Sequence, residues 1–498
     1  MRSRIFQKIL IAGALVGLAC NVVYLFLAVY YAGTAGFLDH FEPSVAEGGL
    51  RVLYGIPVFH PPDAAERYCS IYGPNIYLIQ ALFTTLHPSV IMGSKMAGPV
   101  FVVLFLALSI SLLWKKRGAA IAMILSGYMV LSALTLLHVA YWNRPDPALL
   151  VALALALWAF ELRPHARANI WLGFSAALLF NSKIHTVLPL LPLLGVMAYE
   201  RRWKLLANAG FVALFLVLLP FCFPKVFSLP DFLYRLNAAR SHGLSFDMFF
   251  VTLQRISLLS VPLLLVCLFF RPPSDPEEKT KQTLFLILLA ATFCLTLVFA
   301  SKPGAGTHHF LIYLPVFAYW MAWRTSSSFR WNHLAWIFVL LMGLWTLRVG
   351  LRAGATQKIL VDSMRKLNPE ALQDLRSIRD SYPNVSMQMA VVDEPADVLS
   401  WLRPELRRPS SVSFFDSSAM MDMDLAGEEM PAATLELIRK QKIGIWLAPK
   451  GAQPFSLHTK YRSHRDIFPD SFRQAFSENY TLMSSTKYFD LYLANRQK

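Results

Sequence analysis

The chain has 498 residues, of which 55% are hydrophobic and only 16% charged, with a mean hydropathy of +0.45. That balance excludes an ordinary globular enzyme and describes a polytopic membrane protein. The net charge of +16, from 47 basic and 31 acidic residues, does not argue for nucleic acid as a partner, because many of the basic residues stand in short loops between apolar runs. Five scattered cysteines (Cys20, Cys69, Cys222, Cys267 and Cys294) show no metal or redox spacing and imply no disulfide framework.

Arg2, Arg4 and Lys8 precede an apolar run over 9–31 that is too long for a signal peptide and has no convincing cleavage site, so it reads as a retained first helix. A long first loop, 32–89, follows. It carries Asp39-His40-Phe41-Glu42-Pro43, then Val45, Leu50, Leu53 and Tyr54 on a helical period, which predicts an amphipathic helix over 43–54 lying along the membrane surface. Tyr72-Gly73-Pro74 then turns the chain. Further spans are expected at 90–114, 119–139, 147–161, 169–182, 184–199, 206–222, 250–270, 283–300, 309–323 and 334–350, about eleven in all. The three between 147 and 199 are short enough to be re-entrant or tilted.

Alternate loops hold the basic residues: Lys115-Lys116-Arg117, Arg163 with Arg167, Arg201-Arg202 with Lys204, Arg271 with Lys279 and Lys281, and Arg324 with Arg330. These loops and the N-terminus are therefore expected in the cytoplasm. The opposite loops, 32–89, 141–146, 181–185, 223–249 and 301–309, and the tail 351–498 are expected outside. In the tail, Asn368-Pro369-Glu370 caps a helix to Asp380, strands are expected at 385–392, 410–415, 443–448 and 488–493, and a helix at 432–442. The division is thus a transmembrane part, 1–350, and an extracytoplasmic α/β domain, 351–498.

Unusual polar residues collect on the outer side. Arg144 and Asp146 flank Pro145 directly before a short apolar run, where they could pair or orient other groups. Lys183 and His185 interrupt an apolar stretch, a costly placement that marks a functional site or a buried pair. The glycine-containing loop with Lys302, His308 and His309 offers backbone N–H groups and a cation to a phosphate. His40, Glu42, His60 and Asp63 have the residue types of a zinc or manganese site, but their spacing matches no compact ligand motif.

The order of these features resembles the GT-C glycosyltransferases, and within them the branch holding protein O-mannosyltransferases and aminoarabinose transferases. The features are an acidic residue early in a long first loop, Arg51 to Gly55, Tyr72-Gly73-Pro74, Arg144-Pro145-Asp146, Lys183, and the loop from Lys302 to His309. The resemblance covers about residues 5–350. The family usually has an Asp-Glu pair in this loop. Counting back from Gly55 sets Glu42 at its second place and Phe41 at its first, so the usual aspartate is absent.

The resemblance implies a polyprenyl-phosphate sugar as donor, a hydroxyl or amine acceptor arriving from outside, and inversion at the anomeric carbon. Glu42 is then the expected base, with Asp39 as the alternative and Asp146 as an orienting carboxylate. Arg144, Lys183, His185, Lys302, His308, His309 and Tyr72 are the expected substrate contacts. A lipid phosphate leaves readily, so no cofactor or metal is required. The expected partners are the lipid-linked donor, membrane lipid and an extracytoplasmic glycan, lipid or protein acceptor, and the expected location is the inner (cytoplasmic) membrane. Two other readings stay open on sequence alone. One is a lipid or solute transporter or flippase, although no internal repeat is visible. The other is a catalytically inactive membrane-anchored binding protein.

Overall fold

The structure is a computed structural model and describes residues 2–497 except 69–71, 138–139, 163–166, 326–332, 410–411 and 460–464. Cys69, Arg163, Arg330 and the start of the strand expected at 410–415 lie outside the described residues. Among the described residues seven helices are long and apolar enough to cross a membrane: Gln7–Ala32, Val90–Arg117, Ala119–Leu136, Trp203–Cys222, Phe246–Phe269, Pro276–Ala300 and the helix running on from Trp336. The remaining expected spans are helical but shorter, at Asp146–Glu161, Ala168–Phe180, Ile184–Tyr199 and Tyr313–Arg324. The chain is a multi-pass membrane protein.

Two departures have local causes. The segment after Lys183 begins as a 3-10 helix, Ile184–Leu190, because Pro189 and Pro192 lack the N–H groups that an α-helix would use there. The last span does not stop near residue 350. It continues as His333–Lys366, and the chain breaks only before Asn368-Pro369, where the residue preceding proline is pushed out of helical geometry.

By internal packing the chain forms two compact units. One comprises 1–30, 98–219 and 244–362; the other comprises 31–97, 220–243 and 363–498. The first loop therefore groups with the tail, unlike the division at residue 350, and the reason is a shared core. In the second unit a four-stranded sheet has the order β1-β2-β4-β3, with β1 Met387–Met389, β2 Ile445–Pro449, β3 Tyr480–Ser485 and β4 Phe489–Ala494. β1 runs parallel to β2, the other pairings are antiparallel, and β3 is bulged between Leu482 and Ser484. Alternate residues of β2 face opposite ways. Ile445 and Leu447 join a core with Leu372, Leu375, Phe37, Ala46 and Leu50, whereas Trp446 and Ala448 join Phe415, Phe455, Phe468 and Phe472.

The first-loop helix, Phe41–Tyr54, is thus a core element of this unit. Val45, Ala46 and Leu50 are covered by protein, and Leu53 is exposed. Its partner is a helix not foreseen in the sequence, Pro74–Thr85, started by Gly73 with Pro74 in its first turn. Gly48 makes their approach possible, since a Cβ there would lie 2.1 Å from the Tyr77 ring. Gly48→Ala is expected to cost roughly 1–3 kcal/mol as an overpacked contact. Gly210→Ala, in a spanning helix with nothing within 4 Å of the added carbon, serves as the control. Thermal unfolding in detergent checks this, and an equal melting temperature for both variants would contradict the packing described.

Candidate functional site

In the unit that holds the first loop, Glu42 stands in the first turn of Phe41–Tyr54 and is 0% exposed. Its Oε1 accepts hydrogen bonds from the Tyr31 hydroxyl and from the Leu38 N–H at 3.1 Å. Lys95 supplies a nearby positive charge. The Lys95 ammonium donates to the carbonyls of Thr34 at 2.6 Å and Gly36 at 2.8 Å and to Thr34 Oγ1 at 2.8 Å, and it lies 4.5 Å from the centroid of the Tyr31 ring. Burial pushes the Glu42 carboxyl up to about 7; the Asp39 charge adds to this, while the Tyr31 bond and Lys95 oppose it. Asp39 sits in the preceding turn with its side chain 23% exposed and accepts from the Phe41 N–H at 2.9 Å. Tyr72 is buried in an apolar cluster with Val45, Val58, Phe59 and Tyr77, its ring 6.5 Å from that of Phe41.

The same helix is fixed at its middle by a buried ion triad. Arg403 Nε lies 3.0 Å from Glu47 Oε2, and Arg403 Nη2 lies 2.8 Å from Asp416 Oδ2. Ser413 Oγ donates to Glu47 Oε1 at 2.5 Å, and Arg403 also reaches Ser44 Oγ at 3.3 Å. Sequence reasoning missed Arg403, Asp416 and Lys95. Lys95 did leave a signal, as a lysine inside an apolar run.

The other unit brings together most of the remaining candidates. Asp146 is buried at the start of Asp146–Glu161. Its Oδ1 lies 3.2 Å from the Lys183 ammonium, and its Oδ2 accepts from Trp142 Nε1 at 2.8 Å and lies 4.0 Å from Arg144 Nε. The Arg144 guanidinium also stacks over the Trp142 ring at 4.0 Å. Two buried cations, Arg144 and Lys183, therefore stand beside the Asp146 carboxylate. His185 and His309 touch, Nε2 to Nδ1, at 2.5 Å, so one ring N–H donates to the other ring's lone pair and the two rings cannot both be fully protonated. His308 adjoins His309 with ring centroids 4.4 Å apart. Lys302 is partly buried in the tight loop that carries Gly304 and Gly306 at positive φ.

The candidates thus form two clusters, one in each unit: Asp39, Glu42 and Tyr72 in one, and Arg144, Asp146, Lys183, His185, Lys302, His308 and His309 in the other. Among the described residues no three His, Cys, Asp or Glu side chains come together as a metal-binding group. His60, one of the four residues with suitable chemistry, instead turns its ring nitrogens toward the carbonyls of Pro61 at 2.8 Å and Tyr68 at 2.7 Å.

No protein-family model matches the chain, and no curated protein matches it. Solved structures do. ArnT from Cupriavidus metallidurans bound to undecaprenyl phosphate superposes with a TM-score of 0.56 at 13% identity, covering 96% of this chain and 97% of that one. The chain has the GT-C fold. The apo state of the same ArnT gives a TM-score of 0.51 at 10% identity with the same coverage. An oligosaccharyltransferase from Archaeoglobus fulgidus gives 0.47 at 12% identity, over 89% of this chain and 69% of that one. Within this GT-C fold the Glu42 and Asp146 clusters are the two places where buried charge is concentrated next to the candidate residues.

Two outcomes test these clusters. Arg403→Leu leaves Glu47 and Asp416 buried without their cation and is expected to cost about 3–5 kcal/mol of stability, read by thermal or denaturant unfolding; a loss under 1 kcal/mol would contradict the triad's role. Glu42 has a raised carboxyl, so its proton stabilises the folded state most below the ordinary carboxylate value of 4.5, and that contribution is lost as pH rises through about 7. Between about pH 5 and about pH 8 the native protein should therefore lose melting temperature relative to Glu42→Gln. An identical slope in both would contradict the shift.

Proposed function

We propose that the protein is an inverting membrane glycosyltransferase that moves a sugar from a polyprenyl-phosphate donor to an acceptor at the outer face of the cytoplasmic membrane. The N-terminus and the basic loops lie in the cytoplasm, and the tail lies outside. The observation that carries the reading is the buried cluster of two cations, Arg144 and Lys183, with the Asp146 carboxylate on a GT-C fold. A lipid phosphate gathers negative charge as it leaves, so cations held in place before the reaction stabilise the transition state more than the ground state. Lys302 and the tight loop from Ser301 to His309 add a third cation and backbone N–H groups for the same phosphate, while His185 and His309 brace its edge. The undecaprenyl phosphate bound to the ArnT structure supports this class of ligand.

The reaction asks for one more group. As the acceptor oxygen bonds to the anomeric carbon, its proton passes to a carboxylate, the bond from that carbon to the phosphate oxygen breaks, and the electron pair leaves with the polyprenyl phosphate. The base must reach the acceptor. Glu42 is fully enclosed by Tyr31, Leu38 and Lys95, whereas Asp39 is partly exposed in the turn just before it. Asp39 therefore takes the role of base and Glu42 positions the turn that presents it. No step needs a metal or other cofactor.

The test is transfer of radiolabelled sugar from a mixed pool of polyprenyl-phosphate sugars in membranes holding equal amounts of each variant. Asp39→Asn is expected to lose about 10²–10⁴-fold in rate as a missing general base. Lys183→Met should lose about 10²–10³-fold as a missing charge stabiliser. Full activity of Asp39→Asn together with a dead Glu42→Gln would return the base role to Glu42. No transfer by the native protein, with every common donor present, would sink the transferase reading.

A further inference from the structure

Within the unit formed by the first loop and the tail lies a cavity of about 790 Å³, within the usual size of a ligand pocket and separate from the Glu42 cluster. Its wall contains Arg51, from the last turn of Phe41–Tyr54, which is 6% exposed. The guanidinium lies 3.2 Å from the centroid of the Tyr68 ring and donates to the carbonyl of Ser413 and, at 3.5 Å, to that of Pro57. Among the described residues no carboxylate lies within ion-pairing distance of it. Arg67, buried beside it in sequence with Tyr68, also rests on carbonyls, those of Pro62 and Glu66. Neither Arg67 nor Arg235 lines the cavity, and Arg235 pairs with Glu428 at 3.2 Å. His60, also in the wall, adds no charge, since burial and then the Arg235 charge hold it down to about 3.

The rim extends this polarity. Lys225 is exposed there, and the helix Leu229–Arg240 begins at the cavity with its cap Ser228, bringing the positive end of its dipole. Glu66 and Asp231 also stand at the rim and oppose the field, so the cavity is not a plain anion sink. Between the charges the lining is aromatic, with Phe59, Tyr68 and Phe414. A forked cation fixed on an aromatic face, flat apolar walls and polar groups of both signs suit a sugar ring that bears an anionic group.

We propose that this cavity binds an anionic saccharide, and that this saccharide is the part of the acceptor by which the protein selects it. The second clause rests on the glycosyltransferase reading. Geometry defines which part of the acceptor is held. Arg51 follows Glu42 by nine residues on one continuous helix, about 13 Å along its axis at 1.5 Å per residue and half a turn away around it. Asp39, the base, lies in the turn before this helix, so the cavity holds a sugar set back from the reacting hydroxyl and not the reacting unit itself. Specificity for the acceptor would then be set by the loop-and-tail unit, apart from the groups that handle the donor phosphate.

The experiment is ligand binding to the full-length protein in nanodiscs without any donor, read by saturation-transfer NMR and calorimetry. The probes are glucuronate, N-acetylglucosamine 6-phosphate and uncharged glucose. At least one anionic probe should bind with a Kd of about 10 mM or tighter, and glucose at least about tenfold more weakly. Glucuronate alone would identify a sugar acid, and the phosphate sugar alone a phosphorylated glycan or glycolipid headgroup. Arg51→Gln should weaken the anionic probe about tenfold and the exposed-site variant Lys225→Ala about threefold. Lys225→Ala removes no buried contact, so it keeps the test valid if Arg51→Gln does not fold. Absence of binding by both anionic probes, equal binding of glucose, or indifference to Lys225→Ala and Arg51→Gln in folded protein overturns the proposal. Because no donor is present, failure here leaves sugar transfer standing, and binding without any transfer activity leaves the site standing while removing its role in acceptor choice.

Discussion

The buried guanidinium of Arg403, held between the carboxylates of Glu47 and Asp416, is the interaction on which the loop-and-tail unit turns. It joins residues 356 positions apart in the chain. A buried ion triad is weak evidence for stability, because removing three charges from water costs several kcal/mol for each. What it does impose is register. Glu47 can meet Arg403 only when Phe41–Tyr54 sits in one rotational setting, and that setting also carries Glu42 toward Tyr31 and Arg51 toward Tyr68. One helix thus presents three charged residues: Glu42 at its first turn beside a buried lysine, and Glu47 and Arg51, one turn apart on nearly the same face, to the tail and to the wall of a cavity. The close approach at Gly48 leaves little room for any other setting.

The membrane-embedded unit follows a different logic. It sets Arg144 and Lys183 beside the Asp146 carboxylate, and the Trp142 indole both donates to that carboxylate and stacks against the guanidinium. Trp142 therefore fixes anion and cation together.

Much of the helical architecture was legible because hydropathy alone marks a bilayer span, and every expected span is helical. Arg144, Asp146 and Lys183 were legible for the same reason, since charge stands out against an apolar run. The rest depends on contacts that a linear pattern does not carry. Glu42 reads as a loop carboxylate, and only the meeting of Tyr31 and Lys95 around it shows that it is enclosed. The partners of Glu47 lie in the tail. Gly73-Pro74 was read as a turn although proline in a first turn also starts helices, as it does in Pro74–Thr85. The strand Tyr480–Ser485 escaped notice because five of its six residues are exposed and give it no buried face to alternate with. The periodicity of 43–54 was correct for a helix but could not say whether protein or lipid would cover it.

The central claim, that the Arg144, Asp146 and Lys183 cluster receives a lipid phosphate, is tested most directly by native mass spectrometry of the protein titrated with undecaprenyl phosphate. The native protein should take up one molecule, and Lys183→Met and Arg144→Gln, folded and at equal concentration, should each bind at least about tenfold more weakly. Uptake by both variants equal to that of the native protein would contradict the account.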